Sequence, residues 1–254
     1  MGRPVKSAVR VLEIFELFDR LQREATVGEI ARTLGYPKSS TSVLLNSLAE
    51  LGYLYHGSSQ RSYLPTPRVS LLGSWVAPML SPGGDVLLAM AELGERTGET
   101  IILAAPTRDQ IQYIHVVPAT ATMRLPVGPG TTRPMLTSGI GRLLLSVKAD
   151  EEIAQMVYRH NSGPGADGAR VSLAAVRRDL ALIRAQGYAL FYKGVTPGAA
   201  VLGMLLPFDV GGVRLAIGIG GWARTVRAHQ DTYVTLLRST IERRLGTTER
   251  RSAA

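Results

Sequence analysis

The sequence contains no cysteine, which removes disulfides, thiolate nucleophiles and cysteine–metal sites from consideration. It fits a reducing compartment. Histidine is scarce: His56, His115, His160 and His229 lie far apart. They form no H-x-x-x-H pair and have no carboxylate at ligand spacing, so no metal site is expected. His115, in an apolar run, reads as a satisfied core histidine. There is no G-x-S-x-G elbow and no phosphate-cradling loop of the Walker type. Gly218-Ile219-Gly220-Gly221 is a fragment of a dinucleotide fingerprint that lacks the final glycine. It marks close backbone approach instead. No catalytic residue and no cofactor are expected, and an enzyme is the thinnest reading. Long apolar runs are also missing. The most apolar region, 195–222, is interrupted by Pro197, Pro207, Asp209 and Arg214, and reads as buried strands rather than a membrane span. Met1–Lys6 has no apolar h-region, so the expected location is the cytoplasm, with no membrane partner.

What is present is length and positive charge. A chain of 254 residues suggests two domains of ordinary size. A net charge of +9 fits a nucleic-acid partner. The excess is spread out, however. Residues 1–75 carry nine Lys/Arg against six Asp/Glu, and the remainder carry twenty against fourteen. Charge supports a nucleic-acid reading without locating it.

The stretch Ala25–Tyr63 locates it. Thr26-Val27-Gly28-Glu29 has capping-box spacing, with Thr26 capping the Glu29 amide and Glu29 reaching back. Ile30, Ala31 and Leu34 form an apolar face, and Gly35 stands where a left-handed residue ends a helix. Tyr36-Pro37 opens a second helix that carries Val43, Leu44, Leu48 and Leu51 inward and stops at Gly52. Two short helices joined through glycine read as a helix-turn-helix, the second being the recognition helix. Tyr53–Tyr55, a polar tip and Arg61–Leu64 then predict a hairpin wing. The candidate DNA contacts are Thr26, Lys38, Ser39, Ser40, Thr41, Ser42, Asn46, Arg61 and Tyr63. Lys6 and Arg10 join them at the start of a first helix, as phosphate contacts or as solvated cations.

Ser7 is expected to cap that first helix, which buries Val11, Ile14, Phe15, Leu17, Phe18 and Leu21. A proline-bearing connector, Thr66–Pro82, holds a short helical part. Ser81-Pro82 starts a helix presenting Val86, Leu87, Met90 and Leu93. Strands are expected at Thr100–Ala105, Gln110–Val117 and Met123–Val127. The run 128–134 reads as a loop, and helices run from Thr137 to Val147 and from Asp150 to His160. Asn161–Ala169 reads as a mobile loop. Ser172 opens a helix ended by Gly187, then come strands Tyr188–Tyr192, Ala199–Leu206 and Val213–Ile219, and a final helix 224–245. About six strands with mixed helices make an α+β or α/β sensor domain.

These pieces resemble, in order and spacing over nearly the whole chain, the IclR family of bacterial transcriptional regulators. In the first domain the matching residues are Ser7, Arg10, Gly35-Tyr36-Pro37-Lys38-Ser39-Ser40, Leu45, Leu48, Gly52-Tyr53 and Tyr63. In the second they are Leu93, Thr97-Gly98-Glu99-Thr100, Arg124, Gly128, Arg133-Pro134, Gly139–Leu144, Ile183-Arg184, Gly187-Tyr188-Ala189, Gly198 and Pro207. The resemblance implies an α+β chain with an N-terminal winged helix-turn-helix domain over residues 1–66 and a linker helix over 67–81. It also implies a C-terminal α/β effector-binding domain with a curved, mostly antiparallel sheet over 82–246. A disordered tail over 247–254 follows from composition. The implied partners are double-stranded DNA with a palindromic operator, a small-molecule effector, and a second copy in a homodimer or dimer of dimers.

Departures from the family pattern carry the finer expectations. The family commonly has arginine in the recognition helix where Val43 stands, so base reading leans on the small polar residues around it. Members that bind small keto-acids use polar side chains that align with Phe191, Val201, Gly218 and Gly220 here, beside the helix start at Gly139 and Ile140. The pocket expected from these residues keeps backbone donors at Gly139, Ile140 and Gly141 for a carboxylate or carbonyl. Its walls are Leu103, Leu125, Met135, Phe191, Val201 and Trp222, with space over Gly218 and Gly220. That composition favours a flat, aromatic or apolar ligand with one polar end. Phe191 and Val201 as plain core residues, and a ligand-independent architectural DNA-binding protein, are the competing readings.

Overall fold

The computed structural model describes residues 5–58, 61–74, 85–121, 125–163, 170–192 and 196–246. The chain divides into two compact units, Met1–Ala77 and Pro78–Ala254. The readings placed on Ser81-Pro82, Met123-Arg124, the 164–169 part of the loop and the tail 247–254 lie outside the described residues.

The first unit packs α1 (Lys6–Leu21), α2 (Val27–Leu34) and α3 (Lys38–Glu50) around one apolar cluster. Ile14, Leu17 and Phe18 of α1 meet Ile30, Leu45, Leu48, Leu54 and Tyr63 there. Thr26 caps α2 by accepting from the Glu29 amide at 3.2 Å, and Gly35 takes φ +69° at its end. The capping box is made from both sides: the Glu29 carboxylate accepts from the Thr26 backbone amide, and it also binds the Arg23 guanidinium at 2.5 Å. Ser7 lies inside α1, whose N-cap is Val5, with no side-chain cap. A three-stranded antiparallel sheet closes the unit in the order β1 (Ala25–Thr26), β3 (Ser62–Pro65), β2 (Leu54–His56). A short α4 (Arg68–Leu72) follows.

The recognition helix is rotated relative to the expected phase. Its buried residues are Thr41, Leu45 and Leu48, at i, i+4 and i+7, while Val43 and Leu51 are 65% and 58% exposed. Thr41 is buried because its hydroxyl donates to the Pro37 carbonyl at 3.0 Å, which removes the cost of an unpaired polar group.

The second unit is built on a curved six-stranded sheet in the order β6-β5-β4-β9-β8-β7, antiparallel at every pairing. Its strands are β4 (Thr100–Thr107), β5 (Gln110–Val117), β6 (Thr132–Pro134), β7 (Ala189–Phe191), β8 (Ala199–Val210) and β9 (Val213–Trp222). β6 falls within the run read as a loop, because Thr132–Pro134 pair with Gln110–Gln112; described residues 125–127 are not strand. Pro207 sits at the register shift of β8, beyond the stretch paired with β7, where no ladder donor is required.

Strand alternation sorts side chains to two faces. Ile101, Leu103, Leu202, Ile217 and Ile219 pack with α5 (Asp85–Thr97) and a C-terminal helix, α10 (Gln230–Leu245). Ile102, Ala104 and Ala216 pack on the other face with α6 (Gly139–Leu145), α7 (Asp150–Ser162) and α8 (Leu173–Gln186). Leu87 is 47% exposed, so α5 uses Val86, Ala89, Met90 and Leu93 as its buried stripe. The final helix is two: α9 (Ala223–Ala228) stops at His229, whose φ of −114° breaks the turn before α10.

Candidate functional site

On the first unit, the N-terminal end of α3, the start of α2 and the wing enclose an open cleft of about 770 Å³. It gathers Thr26, Lys38, Ser39, Ser42, Asn46, Arg61 and Tyr63, with Val27, Gly28 and His56. The first seven come from three separate elements, yet all were named from sequence. Tyr63 is itself buried and donates its hydroxyl to Asn46 Oδ1 at 2.5 Å. It therefore orients Asn46, which is exposed on the helix surface. His56 lies against the Tyr63 ring, centroids 4.9 Å apart; its place in a short strand register made it invisible from spacing alone. Ser40 turns back to the Pro37 carbonyl at 3.0 Å. Thr41 is fully buried and cannot reach a groove. Lys6 and Arg10 lie outside the cleft lining, and the Arg10 guanidinium stacks 4.7 Å from the Tyr36 ring.

The wing is tied down by a carboxylate. Glu24 accepts from the Ser58 amide at 2.7 Å, from the Ser58 hydroxyl, and from the Ser62 hydroxyl at 3.1 Å. Those bonds, the Ser58 hydroxyl first, pull its pKa below the usual carboxylate value. Gly57 has no Cβ because Glu24 and Ser62 occupy that space.

On the second unit, a cavity of about 50 Å³ opens on the face of the sheet covered by α6. It is lined by Leu125, Gly139, Ile140, Phe191, Val201 and Gly220 from the expected set. Five expected residues, Leu103, Met135, Gly141, Gly218 and Trp222, are outside its lining. Leu103 lies on the opposite face of β4, one residue out of phase, and Ile102 takes its place. Met135 is core, and its carbonyl lies where a Gly141 side chain would go. The space over Gly218 is filled by Ile140, whose Cδ1 would stand 2.8 Å from a Cβ there and 2.5 Å from one at Gly203. Trp222 packs beside Gly198 instead of lining the cavity.

The helix start is also crowded. A Cβ on Gly139 would lie 2.7 Å from Val201 Cγ1 and 2.8 Å from Phe191 Cβ. The Gly141 amide is occupied, donating to Ser138 Oγ at 3.1 Å. Tyr113, Val127, Arg133, Ser138, Thr196, Ala199 and Ala200 complete the wall. Arg133 was readable as a basic residue near the helix start, but its placement depends on β6, whose pairing no local pattern showed. Burial raises the Tyr113 pKa, with the nearby Arg133 opposing.

Among the described residues no group of three His, Asp or Glu is placed to hold a metal. No described helix is long and apolar enough to cross a membrane.

Comparison with known proteins agrees over both units. Residues 7–57 match the IclR helix-turn-helix domain, and residues 86–243 match the bacterial transcriptional regulator IclR C-terminal family. The HTH-type transcriptional regulator KdgR of Escherichia coli K12 is 26% identical over 184 residues, covering 72% of this chain and 70% of that protein. The acetate operon repressor of Salmonella typhimurium is 26% identical over 186 residues, covering 72% and 68%. The crystal structure of Thermotoga maritima IclR superposes with TM-score 0.66 at 21% identity, covering 94% of this chain and 98% of that one.

Proposed function

The chain belongs to the IclR family of bacterial transcriptional regulators, and from that premise we propose that it is a repressor whose C-terminal cavity takes a small aromatic or apolar carboxylate. It binds DNA through its first unit and regulates transcription; it is not an enzyme. The proposed operator contacts are Lys38, Ser39, Ser42, Asn46 and Arg61 around the cleft. The polar end of α3 meets base edges there, and the two cations meet phosphates. A homodimer on a palindromic operator of a catabolic gene set is part of the same proposal.

The observation supporting the ligand class is the cavity wall. Tyr113 and Phe191 supply two aromatic faces, and Ile102, Leu125, Val127, Ile140 and Val201 supply the rest of the apolar surface. The chemistry of the wall, and not its volume, supports the class: a two- or three-carbon acid would meet few polar partners there. The cavity is small, so a ring enters only by moving lining side chains apart. That movement is how binding would bias the fold. Thermal-shift screening tests the class: aromatic acids should raise the melting temperature more than pyruvate or glyoxylate does. The reverse order rejects it.

A further inference from the structure

We propose that Arg133, and not the backbone amides at the start of α6, pairs with the carboxylate of the bound effector. The inference rests on the reading of this cavity as the effector site, and assigns the charge contact within it.

Three observations lead there. At the helix start, Phe191 and Val201 pack directly against Gly139, and Ser138 already occupies the Gly141 amide. A helix of only seven residues, with one first-turn amide capped and Gly139 packed against two side chains, is a weak anion site without a cation beside it. Second, Arg133 is the one cation among the described lining residues. It stands opposite Ile111 in the β5–β6 pairing, which puts it on the same sheet face as Tyr113. Its guanidinium carbon lies 5.8 Å from the Tyr113 ring centroid, and its Nη1 donates to the Thr132 carbonyl at 3.0 Å. No carboxylate among the described residues forms an ion pair with it. Third, the other guanidinium near the cavity is already committed. Arg142 lies 5.4 Å from the Phe191 ring, but it is neutralised by Asp179 and donates to the Leu136 carbonyl at 2.9 Å. This half-buried Arg133 guanidinium is hydrogen-bonded to Tyr113 and has no acidic partner among the described residues, which leaves the rest of its planar fork to match a carboxylate. The Tyr113 ring beneath it would extend under an aromatic ligand.

The test uses the full-length protein and four probes, benzoate, phenylacetate, pyruvate and benzamide, with affinity read by calorimetry. Wild type should bind its preferred acid about tenfold to a hundredfold more tightly than benzamide. Arg133→Met should lower acid affinity to the benzamide level, and Arg133→Lys should recover part of it. If pyruvate is the preferred acid and Arg133→Met abolishes its binding, the aromatic reading fails while the Arg133 contact stands. A wild type that binds its preferred acid no more tightly than benzamide overturns the Arg133 contact even if the variants do not fold. So does an Arg133→Met protein that holds the acid as tightly as wild type, or a wild type that binds none of the acids.

Discussion

At the scale of single residues, function turns on which side chains the helices leave outward. Lys38 is exposed at the start of α3 and lines the cleft. Lys38→Ala should weaken operator binding on all sequences and reduce the slope of log affinity against log salt by about one. Fluorescence anisotropy over a salt series measures it, and an unchanged slope means Lys38 touches no phosphate. Val43 stands on the same helix, outward, where relatives in the family commonly place arginine. An exposed apolar side chain amid serines suits a thymine methyl better than a phosphate. Gly139 gives a residue-scale prediction in the other unit. Gly139→Ala drives a methyl into Val201 and Phe191, and should cost about 1–3 kcal/mol by overpacking, read as a lower melting temperature. The phase of α3 differs from the one its apolar spacing predicts, for a local reason. Thr41 is polar and by type belongs outward, but its hydroxyl is satisfied by the backbone one turn back, and periodicity alone does not reveal that.

At the scale of elements, the wing depends on Glu24. Its folded pKa is depressed, so its contribution is present above the unfolded carboxylate value and is lost as pH falls through the folded one. Below about pH 4.5, the Ser58 amide resonance should move toward its unbonded position, followed by nuclear magnetic resonance. Glu24→Gln should shift it at neutral pH as well, and a resonance that ignores both changes rejects the tether. The α5–α10 contact is held by Glu92, bonded by Arg243 and by Arg244, the latter at 2.5 Å. Those bonds take its pKa down to about 2. This contact should therefore outlast the wing tether in acid. Helices and turn glycines of both units were legible because caps and left-handed positions are local chemistry: Thr26, Ser172, Gly35 and Gly187 all stand where expected. β6 was not, since Thr132–Pro134 become strand only through pairing with β5.

At the scale of the whole molecule, each unit has its own apolar core. A fragment spanning 78–246 should therefore fold alone and bind the effector with the affinity of the full chain, checked by calorimetry on both. In the intact protein, effector binding should change operator affinity by about 1–3 kcal/mol, seen by footprinting at matched salt. Unchanged occupancy with saturating effector rejects coupling between the units. The net charge of +9 is shared between the units, so it steers the protein toward DNA without marking the surface that reads it.

What the sequence by itself determined is whatever depends on near neighbours: the helix-turn-helix with its caps and turns, the strand-rich second half, and the family. Tertiary structure alone decided which faces those elements show. Leu103 and Ile102 differ by one position, and only the pairing of β4 with β5 and β9 shows that Ile102 faces the cavity. Likewise Gly218, expected to leave space for a ligand, instead admits Ile140. Arg133 reaches the cavity only because a three-residue strand joins the sheet edge. Period-two alternation makes a single-residue step reverse a side chain, and long-range register is set by contacts that no short stretch of sequence contains.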